Sequence, residues 1–117
     1  MMPDWNDYQQ QVLAMVAEIG RSSPGTVRGY RELGAAGEKG DLLGAKTREL
    51  IALAVAVTRQ CDGCIVIHMD AALKHGATRE EIAEALGVAI AVNAGAALVY
   101  SGRAMDAYAA KAAFPAS

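Results

Sequence analysis

Aromatic side chains are scarce in this 117-residue chain: one Trp, one Phe and four Tyr make up 5% of it, against 25 Ala. A pool so poor in bulky and β-branched residues favours helices and removes an all-β fold from consideration. Basic surplus is missing too. Eleven Lys plus Arg against thirteen Asp plus Glu leave a net charge of -2, without the excess that neutralising phosphates demands, so nucleic acid is excluded as a partner. The N-terminus carries Asp4 and Asp7 where a secretory leader needs basic residues, and no apolar run follows, so the expected location is the cytoplasm. The greasiest stretch, residues 85–100, is interrupted by Asn93 and falls short of the roughly 20 residues a bilayer span needs, so no membrane is expected as a partner. Disorder is excluded in turn, because 53% of the residues are hydrophobic and only 21% charged.

What remains is a single compact helical domain, residues 1–117. Tyr8, Val12, Met15, Val16 and Ile19 recur at spacings of three and four and predict a helix over residues 5–20. Ser23-Pro24 opens a short second one, and 37–41 is a glycine-rich connector. Residues 45–60 have charged ends and an apolar centre; a buried strand fits this as well as a buried helix, and Ala52, Ala54 and Ala56 favour the helix. Residues 62–75 form a helix stopped by Gly76, and Thr78-Arg79-Glu80-Glu81 is a capping box launching 82–92. A final helix is expected over 94–113, making about six in an all-α fold. Residues 85–100 are apolar nearly all round, and in so small a domain the expected cover is another subunit.

The chain has only two cysteines, Cys61 and Cys64, and they form a C-x-x-C pair. In a reducing compartment such a pair is more often redox-active or metal-binding than structural. In the first turn of a helix the free amides and the macrodipole stabilise a thiolate. Positions three apart place their Cβ atoms about 5–6 Å from each other, near enough for dithiol and disulfide to interconvert after a small backbone adjustment. His68 lies on the same stripe, four residues beyond Cys64, where an imidazole can accept a thiol proton. If the chain doubles back near Gln60, Glu49 comes level with His68 to within about 5 Å along the axis. Acid, imidazole and thiol then form a relay of the kind that activates nucleophiles.

Glu49, Cys61, Cys64 and His68, spaced E-x(11)-C-x-x-C-x-x-x-H, resemble the signature of the alkylhydroperoxidase D-like branch of the carboxymuconolactone decarboxylase family. The likeness runs through residues 47–51 and 75–82 and covers about 42–108. It implies an all-helical fold assembled as a homotrimer or homohexamer. It also implies reduction of a hydroperoxide substrate with electrons from an external dithiol or thiol reductase, and no cofactor or metal. It makes Cys64 the peroxide-reducing sulfur, Cys61 the resolving and reductant-facing one, and Glu49 with His68 the proton relay. One position departs: many peroxidase members place a His directly before the second Cys, where this chain has Gly63.

Blander readings stand beside this one. Zinc would need Cys61, Cys64, His68 and His75 to converge, yet they are strung along a rod about 20 Å long. A thioredoxin-like domain would make residues 50–57 a strand, but prolines occur only at 3, 24 and 115, leaving no candidate for that fold's cis-proline. His68 alone would be a core histidine bonded to a carbonyl, and Glu49 alone a solvated residue paired with Lys46. At the level of function the alternatives are a cofactor-free lyase acting on a lactone acid, whose relatives generally lack the cysteine pair, and a non-catalytic redox-sensing oligomeric subunit.

Overall fold

The computed structural model describes residues 2–114, so Pro115 lies outside the described residues. Five helices account for most of them: α1 (Trp5–Ser22), α2 (Pro24–Ala36), α3 (Ala45–Thr58), α4 (Asp62–Lys74) and α5 (Arg79–Ala113). The fold is all-α, and residues 45–58 are helix, which removes the thioredoxin-like strand.

Local chemistry starts and stops these helices. The Asp4 carboxylate accepts from the Asp7 amide at 3.1 Å to cap α1. Pro24 occupies the first turn of α2, where its missing N–H costs nothing. At the start of α5 the Thr78 hydroxyl accepts from the Glu81 amide at 3.1 Å, and the Glu81 carboxylate accepts from the Thr78 amide at 2.9 Å. This is the reciprocal capping box the sequence predicts.

The core is small. Leu53 of α3, Ala72 of α4, Ala77 of the following turn and Ile82 of α5 are buried together, with Leu50, Met69 and Leu86 packed against them. α3 is therefore the central rod, flanked by α4 and α5. α1 lies along α4, and α2 touches no helix but α1.

Two expectations are corrected. There are five helices rather than about six, because 82–92 and 94–113 are one uninterrupted rod. Asn93 does not break it: its side-chain amide donates to the Ala89 carbonyl at 2.7 Å and to the Thr58 hydroxyl at 2.8 Å, so the polar group is satisfied inside helical geometry. With that break gone, α5 is long and apolar enough to cross a bilayer by length and composition.

Nor is the chain compact. Its radius of gyration is 19.8 Å, where a domain of this size is expected near 13 Å, roughly. Its accessible surface is 9097 Å², about 3,000 Å² more than a monomer of this mass ordinarily shows. Exposed large apolar side chains accompany it, among them Leu98, Val99, Tyr100, Met105 and Tyr108 on the outer half of α5.

Candidate functional site

The site is built by the turn between α3 and α4. Arg59 caps α3, and Gln60 follows in the left-handed region at φ 54°. The Gln60 amide donates to the Val57 carbonyl at 3.2 Å and the Cys61 amide to the Ala56 carbonyl at 3.1 Å. These two bonds are a Schellman motif, closed by a residue that carries a Cβ where glycine is the usual occupant. Holding Gln60 there costs about 1–2 kcal/mol, and such strain concentrates at functional positions. The turn ends α3 and at once starts α4, with Cys61 as its N-cap.

At that position the Cys61 sulfur takes the role that a serine or aspartate oxygen plays in an ordinary cap. The Cys64 amide donates to Cys61 Sγ at 3.2 Å. The Cys64 thiol and this amide hold the Cys61 thiol below its ordinary pKa, with the Gly63 amide adding to them; partial burial and the charge of Asp62 act against them. Cys64 is pushed the other way, first because its S–H is donated to Cys61 and then by burial and the neighbouring sulfur's charge. Both cysteines are free thiols and half-buried. One proton is thus shared unequally across the pair, with the charge favoured on Cys61.

One turn beyond Cys64, His68 Nδ1 lies 2.7 Å from Glu49 Oε2. The carboxylate can only accept, so Nδ1–H donates, and the neutral ring is left with its lone pair on Nε2. The doubling back at Gln60 brings together two residues nineteen apart in sequence. Lys46, which would have engaged a merely solvated Glu49, instead pairs with Glu81 at 2.8 Å. His75 takes no part: it caps the far end of α4, where Gly76 at φ 83° closes a second Schellman turn. Among the described residues no three His, Cys, Asp or Glu side chains converge as metal ligands.

Two contacts escape a reading of the motif. Val12 of α1 packs against Gly63, between the two cysteines in sequence: a Cβ on Gly63 would lie 3.6 Å from its side chain. That is an ordinary van der Waals distance, so alanine fits at this position, whereas a bulky residue would have to pass alongside Val12. The Gln9 amide donates to Asp70 at 3.2 Å and fixes the same two helices further along. Both partners were visible as apolar or polar positions on predicted helices, but nothing in sequence spacing pairs residues 51 or 61 apart.

A sequence model of the carboxymuconolactone decarboxylase family matches residues 24–110, which adds α2 to the motif-bearing region. An uncharacterised protein of Haemophilus influenzae is 49% identical over 108 residues, covering 92% of this chain and 96% of its own length. Another, from Cupriavidus necator, is 34% identical over 87 residues, covering 74% and 77%. Among solved structures, a carboxymuconolactone decarboxylase family protein from Legionella pneumophila superposes with a TM-score of 0.72 at 36% identity, covering 89% of this chain and 93% of its own.

Proposed function

Because the chain belongs to the carboxymuconolactone decarboxylase family, and because its cysteine pair opens the helix that carries a carboxylate-held imidazole one turn beyond Cys64, we propose that it is a thiol-dependent peroxidase or disulfide oxidoreductase of the alkylhydroperoxidase D-like branch. The observation that carries this reading is the 2.7 Å contact between Glu49 and His68, one helical turn from Cys64. It supplies a general base of fixed tautomer beside two thiols.

In this cycle one thiolate attacks the distal oxygen of a hydroperoxide. The O–O bond breaks, an alcohol leaves, and the sulfur becomes a sulfenic acid. The second sulfur displaces hydroxide, which leaves as water, and the pair becomes a disulfide. An external dithiol or thiol reductase returns the pair to the reduced state by exchange. The cycle needs no cofactor or metal, and it suits a reducing compartment such as the cytoplasm.

The assembly belongs to the same proposal. The exposed apolar half of α5 and the surplus surface of about 3,000 Å² are what obligate homo-oligomer interfaces cover, so the working unit is a homo-oligomer, and the resemblance to the family makes it a homotrimer or homohexamer. A bilayer is the poorer cover, because Asn93 bonds Thr58 midway along the apolar run. That contact holds the exposed Arg59 and Gln60 at the same level.

Peroxide consumption driven by a small dithiol tests the reading. Wild type turns over, and Cys61→Ser and Cys64→Ser each abolish multiple turnover. A wild type without turnover on hydroperoxides or disulfides would overturn the proposal. Turnover of a lactone acid that survives loss of both cysteines would point to the lyase activity instead.

A further inference from the structure

We infer that the groove between α1 and α2 is a second binding site, which takes a small organic dianion: an apolar body carrying either a phosphate monoester or a pair of carboxylates. It stands apart from the thiol chemistry and does not rest on the dithiol reading above. Neither Glu49, Cys61, Cys64 nor His68 lines it.

Three arginines line this groove, Arg21 from the last turn of α1 and Arg28 and Arg31 from α2. Pro24, Arg28, Arg31 and Ala35 recur at spacings of four, three and four, so they form one stripe of α2 along the groove. The Arg28 guanidinium is laid back towards the start of α2, its Nη2 3.9 Å from where a Cβ on Gly25 would stand. Each guanidinium offers five N–H donors in a planar fork that matches a carboxylate or a phosphate two bonds at a time. Acidic partners stand at helical spacing, Glu18 three residues before Arg21 and Glu32 four after Arg28. Yet among the described residues no ion pair includes Arg21, Arg28 or Arg31. The charge is concentrated as well: three Arg against Glu32 leave residues 21–35 at +2 in a chain whose net charge is -2. Two negative charges balance that segment.

Between the cations the walls are apolar. Val16, Ala17 and Gly20 of α1 stand across from Pro24 and Val27 of α2, and the groove holds about 700 Å³, within the range of about 300–1,000 Å³ that small-molecule sites occupy. Its base is fixed before any ligand arrives. Val27 is the buried residue of α2, and a Cβ on Gly20 would meet its side chain at 3.7 Å. The elbow that joins the helices is held by the Ser23 amide donating to the Ile19 carbonyl at 2.7 Å and by the 2.7 Å contact between the Ser23 and Thr26 hydroxyls. An inorganic anion would pair with the guanidiniums and leave these walls wet, and an apolar molecule would cover the walls and leave the cations unmatched. A dianion on an apolar body does both. Glu32, which lines the same groove, opposes it by one charge.

Isothermal titration calorimetry of the full chain with phenyl phosphate and with phthalate, joined to amide NMR shifts, tests the site. At least one of the two is expected to bind and to move the amide signals of Gly20, Gly25 and Val27; which one binds decides between the phosphate and the dicarboxylate head. Arg28→Ala and Arg31→Ala should each weaken binding at least about fivefold, and Glu32→Gln should strengthen it at least about twofold. These three side chains are exposed, so the variants should keep the wild-type urea midpoint. Inorganic phosphate and phenol, the head and the body alone, should each bind at least about tenfold more weakly than phenyl phosphate if the phosphate head is the one selected. The inference is overturned if neither dianion binds at millimolar concentration, if the arginine variants bind as tightly as wild type, or if the shifted amides lie outside α1 and α2. Inorganic phosphate binding as tightly as phenyl phosphate overturns it too, because the apolar walls would then contribute nothing.

Discussion

Replacing Glu49 by Gln isolates one contact. The side chain keeps its length and shape but loses its charge, and the bond it makes to His68 Nδ1 at 2.7 Å becomes an ordinary neutral one. A hydrogen bond to a charged group contributes about 1.5–3 kcal/mol. The two side chains are 22% and 32% exposed, so solvent screening places this bond at the lower end, about 1.5 kcal/mol. The neutral bond that replaces it still contributes about 0.5 kcal/mol, so the loss is about 1 kcal/mol, and at about 1.4 kcal/mol per tenfold in rate kcat/KM for dithiol-driven peroxide reduction should fall about fivefold. The loss arises because the imidazolium formed when His68 takes the Cys64 proton is no longer stabilised, and because the ring is freer to carry its proton on Nε2, where it cannot act as a base. Stopped-flow peroxide consumption gives the rate, and nitrogen-15 chemical shifts of His68 give the tautomer. A urea midpoint within experimental scatter of wild type shows the fold intact. Activity of Glu49→Gln within twofold of wild type, with its tautomer population altered, would refute the relay.

Three further outcomes are expected. Leu53→Ala empties the centre of the core, where Leu53 is 1% exposed, and should cost about 2–5 kcal/mol of unfolding free energy; a urea-denaturation loss under about 1 kcal/mol would contradict the packing described. Glu81 is held below the ordinary carboxylate range by its bond from Lys46 and the Thr78 amide, so its contribution to stability is complete above the unfolded-state pKa and fades as pH falls through the lower folded one. The urea midpoints of wild type and Glu81→Gln should therefore differ at pH 7 and converge on acidification, and a gap that widened would contradict that sign. Leu98→Glu combined with Met105→Glu charges one stripe of α5, where the side chains are 77% and 67% exposed. Light scattering should find the assembled mass in wild type and the monomer mass in the double variant, whereas an unchanged oligomer would move the interface elsewhere.

Much of the local structure is legible in the chain. The capping box at Thr78, the stop at Gly76 and the proline start of α2 are written in side chains that satisfy backbone groups within a few residues, so no distant partner is needed to read them. The Glu49–His68 proximity is legible only on condition that the chain doubles back near Gln60. Nothing about a glutamine announces a left-handed turn; it is held there by the closure of two helices around it. The break expected at Asn93 fails for a related reason. A polar residue in an apolar run resembles an interruption until the Ala89 carbonyl and the Thr58 hydroxyl are seen to receive it.

Composition, periodicity and the C-x-x-C spacing by themselves determined a helical chain, the single point where its thiol chemistry resides, and an apolar segment too greasy for water, because each depends on residue identity and short-range geometry. Tertiary structure alone decided that α3 and α4 fold back to pair Glu49 with His68, that Val12 closes over Gly63, and that Cys61 rather than Cys64 receives the donors that hold a negative charge. Those outcomes depend on which groups meet across a turn or a helix interface, and contact and field strength are set by distance in space, not by distance along the chain.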